Sequence, residues 1–309
     1  MERITQHSAS DVQAVITSFN QGEMIEEAVH SLWSQTTPPA KIIIVDDGST
    51  DPISLEVLEN LAAFTESPVP TTIMYQSNSG VSSARNTGIR ETQAPFVLVL
   101  DGDDRLESTY IEQVSKLLRK NTSMVAASSW IHTFGVLEAL VRPTGGDLTA
   151  FLPRNACPAT HILRREAWER CGGYDETMRA GFEDWEFFLH ILETAPNASI
   201  GIVEQPLLNY RTAPASANVQ SMTKRLKLME YIIEKHGDAY RQHITEALLG
   251  IEATSMSRLY GWENEMLYRR TTGIALCKYS EEFLNNPSYG DGGMAAAVRI
   301  VSKEETNLS

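Results

Sequence analysis

The chain is poor in cysteine and in basic residues, and it has no long apolar run. Its three cysteines, Cys157, Cys171 and Cys277, are an odd and widely spaced set with no CxxC pair. That excludes a disulfide framework and a zinc site, and reduced thiols are expected. Lys and Arg number 26 against 40 Asp and Glu, for a formal net charge of −14. Phosphate backbones are bound by clustered Lys and Arg, so nucleic acid is not the expected partner. No apolar stretch approaches the ~20 residues of a membrane span. The stretch Met1 to His7 lacks the apolar segment of a secretory signal, so the cytoplasm is the expected compartment, with peripheral membrane attachment as the alternative. There is no GxxxxGK loop, which excludes a P-loop kinase or ATPase, and no GxGxxG after the first strand, which weighs against a dinucleotide fold.

What is present is an ordinary globular composition, 42% hydrophobic and 21% charged over 309 residues. That is enough for a core that needs no covalent staples. The first half alternates in period. Val12 to Thr17 is a strand-length apolar run, and Met24 to Trp33 has helical spacing. Lys41 to Val45 is apolar and β-branched, as expected of a strand buried on both faces. Leu55 to Ala62 reads as a helix, Thr71 to Tyr75 as a strand, Val81 to Glu91 as a helix and Phe96 to Leu100 as a strand. Tyr110 to Leu118 is a further helix and Val125 to Ile131 a further strand. The repetition predicts an α/β layer with a largely parallel sheet and right-handed crossovers. Residues 132 to 182 are broken by Pro143, Gly145, Gly146, Pro153 and Pro158. A strand is expected near Thr160 to Leu163, and helices over Arg165 to Cys171 and Glu183 to Glu193. From about Met222 the pattern is helical. The tail from Ser288 has three glycines and then a polar end, for which disorder is expected.

Three strand ends carry unusual polar residues: Thr17-Ser18-Phe19-Asn20, Asp46-Asp47-Gly48-Ser49-Thr50-Asp51 and Asp101-Gly102-Asp103-Asp104. One such cluster alone would be read as a turn. In an open α/β sheet, ligands bind at the carboxyl ends of the strands, so three clusters on one edge predict a ligand site. Packed carboxylates are unfavourable unless a cation neutralises them. Mg²⁺ takes one or two carboxylates together with substrate phosphates and waters, which suits Asp101-Gly102-Asp103.

With these residues in order, the chain resembles the family 2 glycosyltransferases of the GT-A fold over about residues 12 to 211. The resemblance lies in Val15-Ile16-Thr17-Ser18-Phe19-Asn20, Ser31-Leu32-Trp33-Ser34-Gln35-Thr36 and Ile44-Val45-Asp46-Asp47-Gly48-Ser49. It continues through Ala84-Arg85-Asn86-Thr87-Gly88, Leu100-Asp101-Gly102-Asp103-Asp104 and Gly172-Gly173-Tyr174-Asp175-Glu176. It ends on Glu183-Asp184-Trp185-Glu186 and Asn209-Tyr210-Arg211. The fold it implies is a Rossmann-like nucleotide-binding sheet with helices on both faces. Residues 1–220 would form the catalytic domain and residues 221–309 a C-terminal helical extension, packed on that domain or engaged in a homodimer contact.

The resemblance also implies roles. Thr17, Phe19 and Asp47, with Asn20 and Asp46 beside them, would contact the base and ribose of a nucleotide-sugar. Arg85 would lie near the base or diphosphate, and Asp101 and Gly102 near the ribose or the waters of a metal. Asp103, with Asp101, would ligate a divalent metal, Mn or Mg, and Asp184 would be the general base. The implied activity is inverting transfer of a sugar from a nucleotide-diphospho-sugar, a UDP-sugar, to a hydroxyl acceptor. One departure stands out. Many members carry a His shortly after the Tyr-Arg pair, whereas here Thr212-Ala213-Pro214 follows Tyr210-Arg211. Arg211 would then take part of the charge, with His161 and His190 as other substitutes. Two further readings stand beside this one. One is a catalytically silent nucleotide- or glycan-binding relative acting as a partner subunit. The other is a sugar-phosphate nucleotidyltransferase, whose Gly-rich basic loop is missing here.

Overall fold

The computed structural model describes residues 10–272 and 278–308. Met1 to His7 and Cys277, used above, lie outside the described residues. The first half follows the alternation of period: β1 (Val12–Ser18), α1 (Met24–Trp33), β2 (Ile42–Asp46), α2 (Pro52–Ala63), β3 (Thr71–Tyr75), α3 (Val81–Arg90) and β4 (Phe96–Asp101). The start of α2 is written locally: Asp51 accepts the Ser54 N–H at 2.8 Å as N-cap, and Pro52 opens the first turn, where its missing N–H costs nothing. Then come β5 (Arg105–Leu106), α4 (Tyr110–Lys120), β6 (Met124–Gly135), β7 (Ala139–Val141), α5 (Leu148–Phe151), β8 (His161–Arg164), α6 (Arg165–Cys171), α7 (Glu183–Leu192) and β9 (Ser199–Thr212).

These strands form one nine-stranded sheet in the order β3-β2-β1-β4-β8-β6-β9-β5, with β7 on β6. The expectation of a largely parallel sheet needs correction. β3, β2, β1 and β4 are parallel, but β8 runs antiparallel to both β4 and β6, and β5 runs antiparallel to β9. Apolar patterning marks where a strand is and says nothing of its direction. β9 also had no strand reading. Its middle, Glu204-Gln205-Pro206, is exposed and polar. The β6–β9 register shifts where Trp130 faces Pro206, and bulges are where a sheet tolerates proline.

Alternation along the strands divides the core between two faces. Val12, Ala14, Ile16, Ile42, Ile44, Leu98 and Leu100 pack with α1, α2 and α4 on one face. Val15, Val97 and Val99 pack with Ile89, α6 and α7 on the other, where Ile43 and Val45 meet Ala84.

The remaining elements are helical: α8 (Ala217–Ser221), a 3₁₀ turn (Met222–Lys224), α9 (Arg225–Lys235), α10 (Gly237–Gln242), α11 (Ile244–Thr272), α12 (Lys278–Asn285) and α13 (Gly293–Leu308). Ile232, Ala239, Tyr240 and Ala247 join the core around α7, and the Tyr240 hydroxyl donates to the Leu152 carbonyl at 2.7 Å. The polar end expected to be disordered is instead helix α13. Its first turns bury Met294, Ala295, Ala297 and Val298, the last two against Leu137 and Ala139. Four small or apolar residues on one side offset the polar residues that suggested disorder. No helix among the described residues is long and apolar enough to cross a membrane. Cys157 is buried and Cys171 half-buried, and both are free thiols.

Candidate active site

The three polar strand ends meet on one sheet edge. Thr17 pairs with Asp101 across β1–β4, and Ser18 with Asp46 across β1–β2. Parallel register makes this unavoidable once all three clusters end their strands. Within that edge the residues divide into two groups.

At the β1–β2 end, polar side chains are largely taken up by the loops themselves. Asp46 accepts the Ser49 N–H at 3.0 Å and the Ser49 hydroxyl at 2.5 Å. Asp47 is buried and accepts from Gln76 Nε2 (2.7 Å), Ser79 N–H (2.8 Å) and Gly80 N–H (2.8 Å). Asn20 stands at φ +51 and accepts the Thr50 and Asp51 N–H groups at 2.8 and 2.9 Å. The Phe19 ring, by contrast, is 47% exposed and free to stack on a planar ligand.

The β4 end holds the charge. Arg85 enters from α3, fully buried, and joins two carboxylates. One guanidinium nitrogen donates to Asp101 Oδ1 at 2.8 Å and another to Glu183 Oε1 at 3.0 Å. Burial opposes its charge, but the Asp101 and Glu183 carboxylates more than offset this, so its pKa is raised and the cation is secure. Thr17 Oγ1 lies 3.4 Å from Asp101 Oδ1. Asp184 follows Glu183 at the start of α7, next to Phe182 at φ +65. Its Oδ2 accepts from Asn155 Nδ2 at 2.8 Å and its Oδ1 from the Trp185 N–H at 2.8 Å. Burial, and then the neighbouring Glu183 charge, push the Asp184 carboxyl up to about 7. Arg85, Asp101, Glu183, Asp184 and Tyr210 line one cavity of about 160 Å³.

The rest of the acidic turn is braced from β9. The Arg211 N–H donates to Asp104 Oδ1 at 2.9 Å. Its guanidinium donates to the Asp103 carbonyl and to Glu27 Oε2, each at 2.9 Å, and sits 4.5 Å from the Phe134 ring centroid. Arg211 is therefore a clamp on the turn. Asp104 is spent on β9 and, being buried beside Asp103 and Asp101, is held well above the usual carboxylate range. Burial and then Asp101 push Asp103 up to about 6. Gly102 admits this turn against β1. A Cβ there would lie 2.1 Å from Gln21 Oε1 and 2.7 Å from the Thr17 carbonyl oxygen, which accepts the Gly102 N–H at 3.0 Å. Gly102→Ala is therefore expected to lower stability by about 1–3 kcal/mol, measured by urea unfolding.

The donor set fits Mn²⁺ or Mg²⁺. Asp101 and Asp103 would supply hard carboxylate oxygens from one turn, the donor type these cations take. Among the described residues, no group of three or more His, Cys, Asp or Glu side chains is gathered as a cation site. The ion would then draw its other ligands from phosphates and water. Neither candidate histidine substitutes. His161 is buried, its Nδ1 2.6 Å from the Ala159 carbonyl and its Nε2 3.4 Å from the Tyr174 hydroxyl, and burial drives its pKa down to about 3. His190 lies at the far end of α7 beside Glu186 and His236. Glu183, the second partner of Arg85, and Asn155, the donor to Asp184, are site residues beyond those expected from the sequence. The acid pair at the start of α7 was the one signal for Glu183, and Asn155 had none.

Residues 13–171, about half of the chain, match the family model described as glycosyl transferase family 2. The uncharacterized glycosyltransferase EpsJ of Bacillus subtilis is 33% identical over 221 residues, which cover 66% of this chain and 62% of that protein. The chain thus spans less than two thirds of that relative. YwdF of the same organism is 24% identical over 277 residues, covering 84% of this chain and 98% of that protein. Among solved structures, S. aureus TarS 1–349 in complex with UDP-GlcNAc superposes with a TM-score of 0.59 at 16% identity, over 96% of this chain and 92% of that one. At such identity the likeness is one of fold, and the fold is GT-A. The chain belongs to glycosyltransferase family 2.

Proposed function

We propose that the protein is an inverting glycosyltransferase that moves a sugar from a nucleotide-diphospho-sugar to a hydroxyl acceptor in glycan, polysaccharide or glycoconjugate synthesis. The observation that carries this is one cavity holding a carboxylate tuned near neutrality, Asp184, beside the Arg85-bridged Asp101 at the carboxyl edge of a GT-A sheet. A UDP-sugar is the preferred donor class, supported by the TarS fold solved with UDP-GlcNAc.

In this reading Asp184 takes the proton of the acceptor hydroxyl. The hydroxyl then attacks the anomeric carbon opposite the departing diphosphate, through a transition state with oxocarbenium character. A single in-line displacement inverts that centre. Thr17 and the exposed Phe19 ring form the nucleotide end, while Asp46, Asp47 and Asn20 hold the loops around it. Asp103 and Asp101 would hold Mn²⁺ or Mg²⁺, which when bound neutralises charge on the leaving diphosphate.

The test is a panel of nucleotide-sugars assayed for donor turnover and thermal shift, with and without Mn²⁺. UDP and Mn²⁺ at a hundredfold over Kd should stabilise the fold by about 2.7 kcal/mol. Binding without turnover, across donors and acceptors, would instead favour the silent partner subunit. The pH dependence has a definite sign. A base that must be ionised works above its pKa, so kcat/KM should climb as pH rises through about 7. The Mn²⁺-dependent thermal shift should be larger above pH 6 than below it, because Asp103 is ionised only above about 6. A shift that grows on acidification would exclude Asp103 as the ligand.

A further inference from the structure

The chain beyond residue 221 carries none of the family motifs, yet one stretch of it reaches the catalytic carboxylate. Tyr289, Gly290 and Gly292 line the same cavity as Arg85, Asp101 and Asp184. Their segment, Ser288–Gly293, is a built turn. Ser288 Oγ lies 2.8 and 2.9 Å from the two Asp291 carboxylate oxygens, and the Gly293 N–H donates to Asp291 Oδ1 at 2.9 Å. The Tyr289 hydroxyl donates to the Cys157 carbonyl at 3.1 Å.

Gly290 is the point of contact. It adopts φ +77, and a Cβ on it would come within 1.8 Å of the Asn155 carbonyl oxygen. Asn155 donates from Nδ2 to Asp184 Oδ2 at 2.8 Å and accepts the Cys157 N–H on Oδ1 at 3.1 Å. On its other side, the Gly290 carbonyl accepts from both terminal nitrogens of Arg225, at 3.4 and 3.3 Å. The Arg225 guanidinium lies 5.4 and 5.7 Å from the ring centroids of Phe182 and Trp185, the residues that flank Glu183 and Asp184. One glycine thus touches Asn155, which bonds the carboxylate, and Arg225, which stacks on the rings either side of the Glu183-Asp184 pair. Support is needed there, because α7 begins on a non-glycine residue at positive φ and has no side-chain cap.

We infer that Ser288–Gly293 is a positioning element of the catalytic centre: through Gly290 it holds Asn155 and Arg225, and through them the Asp184 carboxylate. This role rests on the transfer reading above, with Asp184 as base. It makes the C-terminal region part of the active site.

The test uses the full chain and measures kcat, KM, UDP affinity and melting temperature for Gly290→Ala and Asn155→Asp. The aspartate at 155 keeps an acceptor for the Cys157 N–H, replaces the amide donor to Asp184 and sets a second carboxyl beside it, so the acid limb of kcat should also move to higher pH. Each substitution should lower kcat by roughly 10- to 100-fold while UDP affinity stays within about threefold. Unchanged kcat in both, with an active wild type, overturns this role and leaves the transfer reading standing. Loss of UDP affinity in step with kcat overturns it as well, since the segment would then support the fold as a whole. If Gly290→Ala does not fold, Arg225→Met, which removes both donors to the Gly290 carbonyl, takes its place under the same readouts. A wild type that binds UDP but turns over no nucleotide-sugar sinks the transfer reading, and this role with it.

Discussion

Asp184→Asn is expected to lower kcat for sugar transfer by about 10³-fold, the range lost when a general base is removed, with little change in UDP affinity. The substitution is isosteric. Its amide oxygen can keep one of the two hydrogen bonds that Asp184 accepts, from Asn155 or from the Trp185 N–H. Losing the other costs about 1 kcal/mol. Against that, a carboxylate held up near 7 by burial and by Glu183 is strained when ionised, and the neutral amide relieves the strain. Relative to wild type, the melting temperature should therefore rise as pH climbs from the ordinary carboxylate range to about 7, the interval in which the unfolded wild type has lost a proton that the folded one keeps, and level off above it. The acid limb of the pH profile near 7 should vanish together with the activity. A variant with full kcat, or one that keeps the limb, would remove Asp184 from the role of base. Loss of UDP binding would point to a nucleotide contact instead.

The sequence was informative where chemistry follows an apolar run directly. Lys41 to Val45 announced a strand buried on both faces, and the clusters after β1, β2 and β4 fell on one edge because parallel strands leave no other arrangement. It was silent where function depends on distant segments meeting. Nothing near Asn155 indicates Asp184, and nothing in Ser288-Tyr289-Gly290 indicates Asn155; the fold brings Asn155 to Asp184 across 29 residues and Gly290 to Asn155 across more than a hundred. Identical residue types also hid different duties. Asp47 and Asp104 look like Asp101 and Asp103 in the sequence, yet Asp47 ties the 76–80 loop and Asp104 ties β9. A carboxylate's role is set by which partners the fold brings to it and by whether it still faces the cavity, as Asp101 does while held by Arg85. Those neighbours come from the fold and not from the motif.

Arg85→Met is expected to destabilise the fold by about 3–5 kcal/mol, the range for removing one partner of a buried ion pair. Arg85 is 1% exposed and joins Asp101 on β4 to Glu183 at the start of α7. Without it, two carboxylates would face each other with no counterion, and the link between strand and helix would be lost. Methionine fills much of the stem, so the loss reports the charge more than the packing. Arg85→Lys should fall between the two. It keeps a charge, but its single ammonium has no rigid fork to serve both acids at 2.8 and 3.0 Å. The discriminating measurement is urea unfolding of Arg85→Met, Glu183→Gln and the double variant. Neutralising Glu183 removes one of the two stranded charges, so the double variant should be more stable than the sum of the single losses implies, by about 0.5–3 kcal/mol. Strict additivity, or a loss under about 1 kcal/mol for Arg85→Met, would mean that water screens the bridge as it does a surface pair, and Arg85 would then be a ligand group rather than the tie between the Asp101 turn and the Asp184 helix.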